Sequence, residues 1–222
     1  MNINIENKSL FDFDKTILKE TFLSNVFPFD IIPKIKEEII KIGKKLNLEE
    51  YNKFKSDIWI SKRAKVAFTS IIQGPCIIGH ETEIRQGAYI RGGVVIGNNC
   101  VIGNSTEVKN SIIFDNVQIP HFNYVGDSIL GYKVHLGAGV IISNLRLDQE
   151  EVIIKGMNIN TKLRKFGAAI GDNSQVGCNS VINPGTIICK DVTIYPLRQI
   201  SGVIKWWDFL EQTELEGLLV KP

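Results

Sequence analysis

The sequence predicts a mainly β protein, a parallel β-helix of short strands wound three to a coil with helical caps at both ends. Three observations carry that prediction. An aliphatic residue recurs at every sixth position, glycine often follows it directly, and helical spacing is confined to segments outside the repeat.

The repeat opens with Ile60, Val66, Ile72, Ile78, Ile84, Ile90, Ile96, Ile102 and Val108, nine consecutive hits that are all Ile or Val. A helix, turning every ~3.6 residues, would scatter a six-residue period around its circumference. The frame shortens by one residue near 110–114, resumes at Ile113, Ile119 and Val125, shortens again and continues at Leu130, Leu136 and Ile142. A second block comprises Ile170, Val176, Ile182, Ile188 and Ile194. Pairs such as Ile78-Gly79, Ile96-Gly97, Ile102-Gly103, Leu136-Gly137 and Val176-Gly177 complete a hexapeptide-repeat signature. The physical basis is packing inside a narrow tube: each strand sends one aliphatic side chain inward, and the chain turns sharply at each corner. Asn98-Asn99, Asn104, Asn173 and Asn179 suit corners, because asparagine tolerates a positive φ better than most residues. Coils ~4.8 Å apart predict about six coils and a prism ~30 Å long.

Residues outside the repeat divide the chain. Residues 1–58 are expected to form an N-terminal helical cap, with Ile35, Ile39, Ile42 and Leu46 on one helical face and Pro33 at its start. Residues 59–197 form the β-helix, and coil formation is expected to stop near Tyr195-Pro196. Residues 198–222, with Trp206, Trp207, Phe209 and Leu210, are expected to form a C-terminal helical tail. Both caps would cover open prism ends, which otherwise expose strand edges and core. The sixfold frame is lost over residues 144–167, which predicts an extruded, charged loop carrying Arg146, Asp148, Glu150, Glu151, Lys155, Lys162, Arg164 and Lys165. Long loops on rigid scaffolds are commonly functional.

Composition narrows the function. The 222 residues are 44% hydrophobic and 23% charged, and 26 Lys and Arg against 24 Asp and Glu give a net charge of +2. A balance so near neutral, with no long run of one sign, is not the footprint of a nucleic-acid binder or a basic membrane anchor. No stretch of ~18 apolar residues exists, and a soluble cytoplasmic protein is expected. Cys76, Cys100, Cys178 and Cys189 form no CxxC pair and indicate no zinc site. A carbonic anhydrase built on the same prism would need three histidines converging on zinc, and His80, His121 and His135 are spaced 41 and 14 residues apart, which does not match.

The polar residues interrupting the repeat are Arg91, Glu107-Val108-Lys109, His121-Phe122-Asn123-Tyr124-Val125-Gly126-Asp127, Gly137-Ala138-Gly139, Asn144-Leu145-Arg146 and, after the loop, Arg164-Lys165-Phe166-Gly167 and Gly171-Asp172. Over about residues 72–196 the chain resembles the acetyltransferase domain of bacterial glucosamine-1-phosphate acetyltransferase/uridyltransferase. It is still more similar to the C-terminal domain of archaeal bifunctional sugar-1-phosphate nucleotidylyltransferase/acetyltransferases. The spacing from Arg91 through Lys109 and His121 to Asn144 matches the bacterial pattern without insertions.

The resemblance implies a left-handed β-helix, against the usual right-handed crossover, and a homotrimer with each site between two prisms. It implies an acetyl-CoA-dependent N-acetyltransferase acting on an amino-sugar phosphate or nucleotide sugar, within the nucleotide-sugar metabolism that feeds the cell envelope. Arg91 and Lys109 would hold the phosphate, and Tyr124, Asn144 and His135 would meet the sugar. His121 would be the general base, a task suited to an imidazole with an ordinary pKa of ~6.5. Ala138 and Cys178 would lie along acetyl-CoA, and the acetyl step needs no metal.

There are departures. Glu150 and Ile153 stand where archaeal relatives carry loop lysines, and His135 stands where the bacterial pattern has asparagine. Before Gly74 there is one glycine, Gly43, so no glycine-rich phosphate loop and no nucleotidyltransferase site are expected here; a separate nucleotidyltransferase would supply that step. The competing expectation is a trimeric scaffold or sugar-phosphate-binding protein without transfer activity.

Overall fold

The computed structural model describes residues 4–205. Trp206, Trp207 and the rest of the expected C-terminal helix lie outside the described residues.

The repeat forms a three-sided parallel β-solenoid, with one strand of every coil in each of three sheets. Face 1 stacks Ile58–Ser61, Cys76–Ile78, Val94–Ile96, Ser111–Ile113, Ile129–Leu130, Ala168–Ile170, Thr186–Ile188 and Val203–Ile204. Face 2 stacks Lys65–Val66, Glu83–Ile84, Val101–Asn104, Gln118–His121, His135–Leu136, Gln175–Val176 and Thr193–Ile194. Face 3 stacks Ile71–Gln73, Tyr89–Arg91, Glu107–Lys109, Tyr124–Gly126, Ile141–Ile142, Val181–Ile182 and Gln199–Ile200. The sixth-position residues sit in register one above another, as in Ile78, Ile96, Ile113, Leu130, Ile170 and Ile188 on face 1. All six are essentially inaccessible to solvent. At ~1.5–3 kcal/mol for each aliphatic side chain removed from water, this inner column is the main source of stability. Left-handed backbone occurs at corners, including Asn99, Asn173 and Asn179, while Asn98 instead accepts the His80 backbone N–H through its side chain at 2.8 Å.

The expected end of the coils near Tyr195-Pro196 is corrected. Gln199–Ile200 pairs with Val181–Ile182, and Val203–Ile204 pairs with Ile187 and Ile188, so residues 198–205 continue the solenoid instead of starting a helix. Seven complete coils result, each face holding a strand from all seven. The reason is local: Ile200 keeps the sixfold step from Ile194 and is buried.

The N-terminal segment also differs from the expected end cap. Its short helices, of which Ile35–Gly43 is the longest, lie along face 1 across successive coils. Gly43 abuts Trp59 of the first coil, Phe11 and Phe22 pack on Phe114, and Phe29 meets Phe166 edge-on. The Asp12 N–H donates to Asp172 Oδ2 at 2.7 Å, and the Asp172 N–H donates to the Leu10 carbonyl at 3.0 Å. Tyr132 N–H and the Lys190 ammonium also reach the buried Asp172 carboxylate, so one side chain ties three coils to the cover. The cause is the outward row of face 1. Ile77, Val95, Ile112, Ile129, Ala169 and Ile187 point away from the tube and are apolar, so this face needs a partner along its length. The first edge of the same sheet is closed by Tyr51–Phe54, which pairs antiparallel with Ile58–Ser61.

The segment 143–167 leaves the corner between faces 3 and 1 and folds on itself. Ile153–Ile154 pairs antiparallel with Ile159–Asn160, and Leu145 bridges Lys165 at the base. Val152 and Ile154 are buried within it. It lies back against the later coils: a Cβ on Gly185, whose φ is +79°, would come within 2.7 Å of Val152 Cγ1.

Candidate functional site

Face 3 is open along its length and carries the polar residues that break the repeat. Arg91 and Lys109 end successive strands, so their side chains emerge beside the corner with face 1. Each meets a carboxylate of the next coil position. Arg91 Nη1 lies 2.7 Å from Glu107 Oε1, and Lys109 Nζ lies 3.4 Å from Asp127 Oδ2. The hydrogen bond to Glu107 raises the Arg91 guanidinium pKa further above its ordinary value.

Tyr124 starts the strand above Glu107, and its ring runs along the face until its hydroxyl accepts from Asn144 Nδ2 at 3.2 Å. Burial, followed by the Glu107 and Asp127 charges, pushes the tyrosine pKa up from 10.0, so the hydroxyl stays neutral at physiological pH. Gly126 makes room for this arrangement. A Cβ there would fall 2.6 Å from the Tyr124 hydroxyl and 2.7 Å from Asn144 Nδ2.

Asp127 joins the cluster together. Its carboxylate accepts from Asn110 Nδ2 at 2.8 Å, from Lys109 and from Asn144 Nδ2, and the residue is 5% exposed. Its backbone N–H donates to the Lys109 carbonyl, and its own carbonyl accepts from Gly167 N–H at the end of the extruded loop. Asp127 therefore sets the position of the cation below and the amide above. Glu107, Asn110, Gly126 and Asp127 were not distinguished from the sequence as members of this cluster, because the contacts run between residues 16 to 18 apart. That spacing is one coil, and it is the signal that would have found them.

The other expected site residues lie elsewhere. His121 ends a face 2 strand at the corner between faces 2 and 3, exposed, and no hydrogen bond to its imidazole is found among the described residues. Ala138 and Cys178 continue that corner in the next two coils: Gly139 N–H donates to the His121 carbonyl and Asn179 N–H to the Ala138 carbonyl. Cys178 is an exposed free thiol, and exposed Phe122 and Leu197 flank the same column. His135 points outward from face 2, in register between Gln118 and Gln175, so it shares no face with Arg91 or Lys109 in the same chain. Arg91, Lys109, Tyr124 and Asn144 thus gather at one edge of face 3, and His121, Ala138 and Cys178 line the opposite edge, ~10 Å away across a three-residue strand.

The loop cations are mostly engaged. Arg146 pairs with Asp148, and Arg164 bonds the Gln149 carbonyl at 3.2 Å. Arg146 and Lys155 line a cleft of about 680 Å³ between the loop and face 3 of the later coils, with Ile153, Val181 and Asn183. His80 sits on the far side of the prism, bonded to Ser61 Oγ at 2.7 Å, so the three histidines do not converge. Among the described residues no group of three His, Cys, Asp or Glu side chains is placed to hold a metal ion, and no helix is long and apolar enough to cross a membrane.

Comparison with known proteins divides the chain near the end of the extruded segment. Residues 72–162 match the GMPPB C-terminal domain, and residues 167–195 match the hexapeptide repeat of succinyl-transferase. The chain is 36% identical over 192 residues to a bifunctional sugar-1-phosphate nucleotidylyltransferase/acetyltransferase of Sulfurisphaera tokodaii, a match covering 77% of this chain and 48% of that protein. It is 38% identical over 119 residues to the bifunctional protein GlmU of Methanococcus vannielii, covering 47% of this chain and 28% of that protein. The chain therefore spans half or less of the length of these curated relatives. A solved hexapeptide transferase family protein from Anaplasma phagocytophilum aligns at 19% identity with a TM-score of 0.49, covering 71% of this chain and 86% of that one. The resemblance to archaeal sugar-1-phosphate nucleotidylyltransferase/acetyltransferase and GlmU proteins seen in the motifs is thus found by whole-sequence comparison as well.

Proposed function

We propose that this chain is an acyltransferase of the hexapeptide type, moving an acetyl group from acetyl-CoA to the amine of an amino-sugar phosphate or nucleotide sugar. The observation that carries the proposal is the gathering of Arg91, Lys109, Tyr124 and Asn144 at one edge of the open face. A guanidinium fork and an ammonium one coil apart suit a phosphate, and the tyrosine hydroxyl and the carboxamide suit sugar hydroxyls. The name of the Sulfurisphaera tokodaii relative, which carries both sugar-1-phosphate and acetyltransferase, supports the same reading.

In this reading His121 takes the proton released as the substrate nitrogen attacks the thioester carbonyl. A C–N bond forms, the C–S bond breaks, and CoA leaves as a thiolate that takes up the proton held by the His121 imidazolium. Ala138, half-buried and small, and Cys178 leave the corner above His121 shallow enough for an extended thioester arm. Because His121 and the phosphate ligands occupy opposite edges of one face, the site is completed by a second prism packed against face 3. A homotrimer supplies that packing three times over, and exposed Phe68, Ile71, Phe122, Val181 and Leu197 along this side give it apolar surface. Tyr124 and Asn144 would orient the sugar, and His135 of a neighbouring prism would reach the site that its own chain's His135 faces away from.

The alternative, a trimeric sugar-phosphate-binding scaffold without transfer activity, is favoured by one specific observation. Arg146 and Arg164 are held by Asp148 and Gln149 within the loop, and Glu150 and Ile153 add no cation beside them. A thiol-release assay with acetyl-CoA and a panel of amino-sugar phosphates separates the two. Turnover that is lost in His121→Ala, with melting behaviour unchanged, is expected. Saturable sugar-phosphate binding with no turnover on any amino sugar would instead establish the scaffold.

A further inference from the structure

The two cations of the cluster are neutralised differently. Asp127 is buried and shared among Lys109, Asn110 and Asn144, so it cannot leave Lys109 without breaking three contacts. The Glu107 carboxylate has only Arg91 as an ion-pair or hydrogen-bond partner among the described residues. Both members of that pair reach solvent, with side chains 41% and 31% exposed. Arg91 has a second support, the face of Tyr89, whose centroid lies 5.8 Å from the guanidinium carbon. Its position therefore does not depend on Glu107 alone.

We propose that Glu107 is the resident counter-anion of Arg91. It occupies the anion position of the guanidinium when no ligand is bound and must be displaced by the incoming phosphate, so it lowers the resting affinity of the site for anions. This inference rests on Arg91 being a phosphate ligand. The charge count gives the reason. Arg91 and Lys109 against Glu107 and Asp127 sum to zero, with Tyr124 neutral, so the closed cluster offers a dianion no net attraction. Rotation of Glu107 into solvent exposes one full positive charge and the fork of the guanidinium. An exposed ion pair is weak enough to be exchanged. A phosphate dianion gains two charge-assisted hydrogen bonds from the fork. A carboxylate ligand faces the same displacement cost with half the charge, so it binds more weakly from the outset.

The test titrates inorganic phosphate, then acetate, into the wild-type protein, Glu107→Gln, Arg91→Ala and the double variant, by calorimetry at low ionic strength and about pH 8, above the second phosphate ionisation. Glu107→Gln is expected to tighten phosphate about fivefold and acetate by no more than that, because both are relieved of the same displacement and the dianion is relieved of more repulsion. Arg91→Ala should weaken phosphate strongly, and in its background Glu107→Gln should have no further effect. Glu107→Ser, which also shortens the side chain, should act in the same direction and covers the case of a poorly folding glutamine variant. If Arg91→Ala weakens phosphate but neither Glu107 variant tightens it, the counter-anion is wrong and the phosphate site stands. If Arg91→Ala binds phosphate as the wild type does, or no variant binds it, the phosphate reading itself falls.

Discussion

Face 1 and face 3 share one interior and differ only in what points outward. On face 1 the outward rungs are Ile77, Val95, Ile112, Ile129, Ala169 and Ile187, and the N-terminal segment covers them. On face 3 the corresponding rungs include Tyr89, Glu107 and Tyr124, and the face is open. The same backbone thus serves as a packed wall on one side and a binding surface on the other. One residue in each strand makes the difference, which means stability and recognition can be changed almost independently.

The largest expected effect tests the wall. Phe114, buried and in ring contact with Phe11 and Phe22, should cost ~3–5 kcal/mol when changed to Ala, whereas Gln73→Ala at an exposed position of the open face should stay within ~0.5 kcal/mol. Denaturant unfolding measures both, and equal costs would abolish the contrast. A smaller effect belongs to the open face. Gly126→Ala pushes the Tyr124 hydroxyl and the Asn144 amide aside, and should lower sugar-phosphate affinity or turnover about tenfold with little change in the unfolding midpoint.

The smallest effect is a pH dependence at the covered side. Burial raises the Asp115 pKa above 3.8, more than its hydrogen bonds from Asn98 lower it. A carboxyl that holds its proton more tightly folded than unfolded stabilises the fold at low pH, and that contribution is lost as pH rises from the unfolded value through the raised folded one. Asp115→Asn should therefore flatten the melting-temperature profile across that window. An unchanged profile would mean the Asp115 carboxyl titrates alike in both states.

The inner rows were legible because the sixfold recurrence is a direct image of the tube interior. What lies outside the tube was harder to read. A signal for the lateral cover did exist, since every third strand has an apolar residue directly before its inward one, as in Ile77-Ile78, Val95-Ile96 and Ile112-Ile113, whereas face 2 mostly has a polar one there, as in Lys65, Glu83, Gln118, His135, Gln175 and Thr193. The continuation past Tyr195 was masked by Pro196 and the exposed Leu197, although Ile200 holds the period. Arg91, Lys109, Tyr124 and Asn144 came from resemblance, and the structure gathers them at one edge. Their carboxylate partners required the coil register, because only stacking shows which residues one turn apart face each other. The separation of His121 and His135 from that edge likewise follows from corners that spacing alone does not orient.

Successive stacked partners on face 1 lie 18, 17, 17, 40, 18 and 16 residues apart from Ile78 to Ile204. Every departure from 18 is absorbed at the corner between faces 3 and 1, beside Arg91, Lys109 and Asp127. That edge works as a splice point. Chain can be added or trimmed there while the aliphatic column keeps its alignment, so new recognition elements can be grafted next to the cations without redesigning the tube.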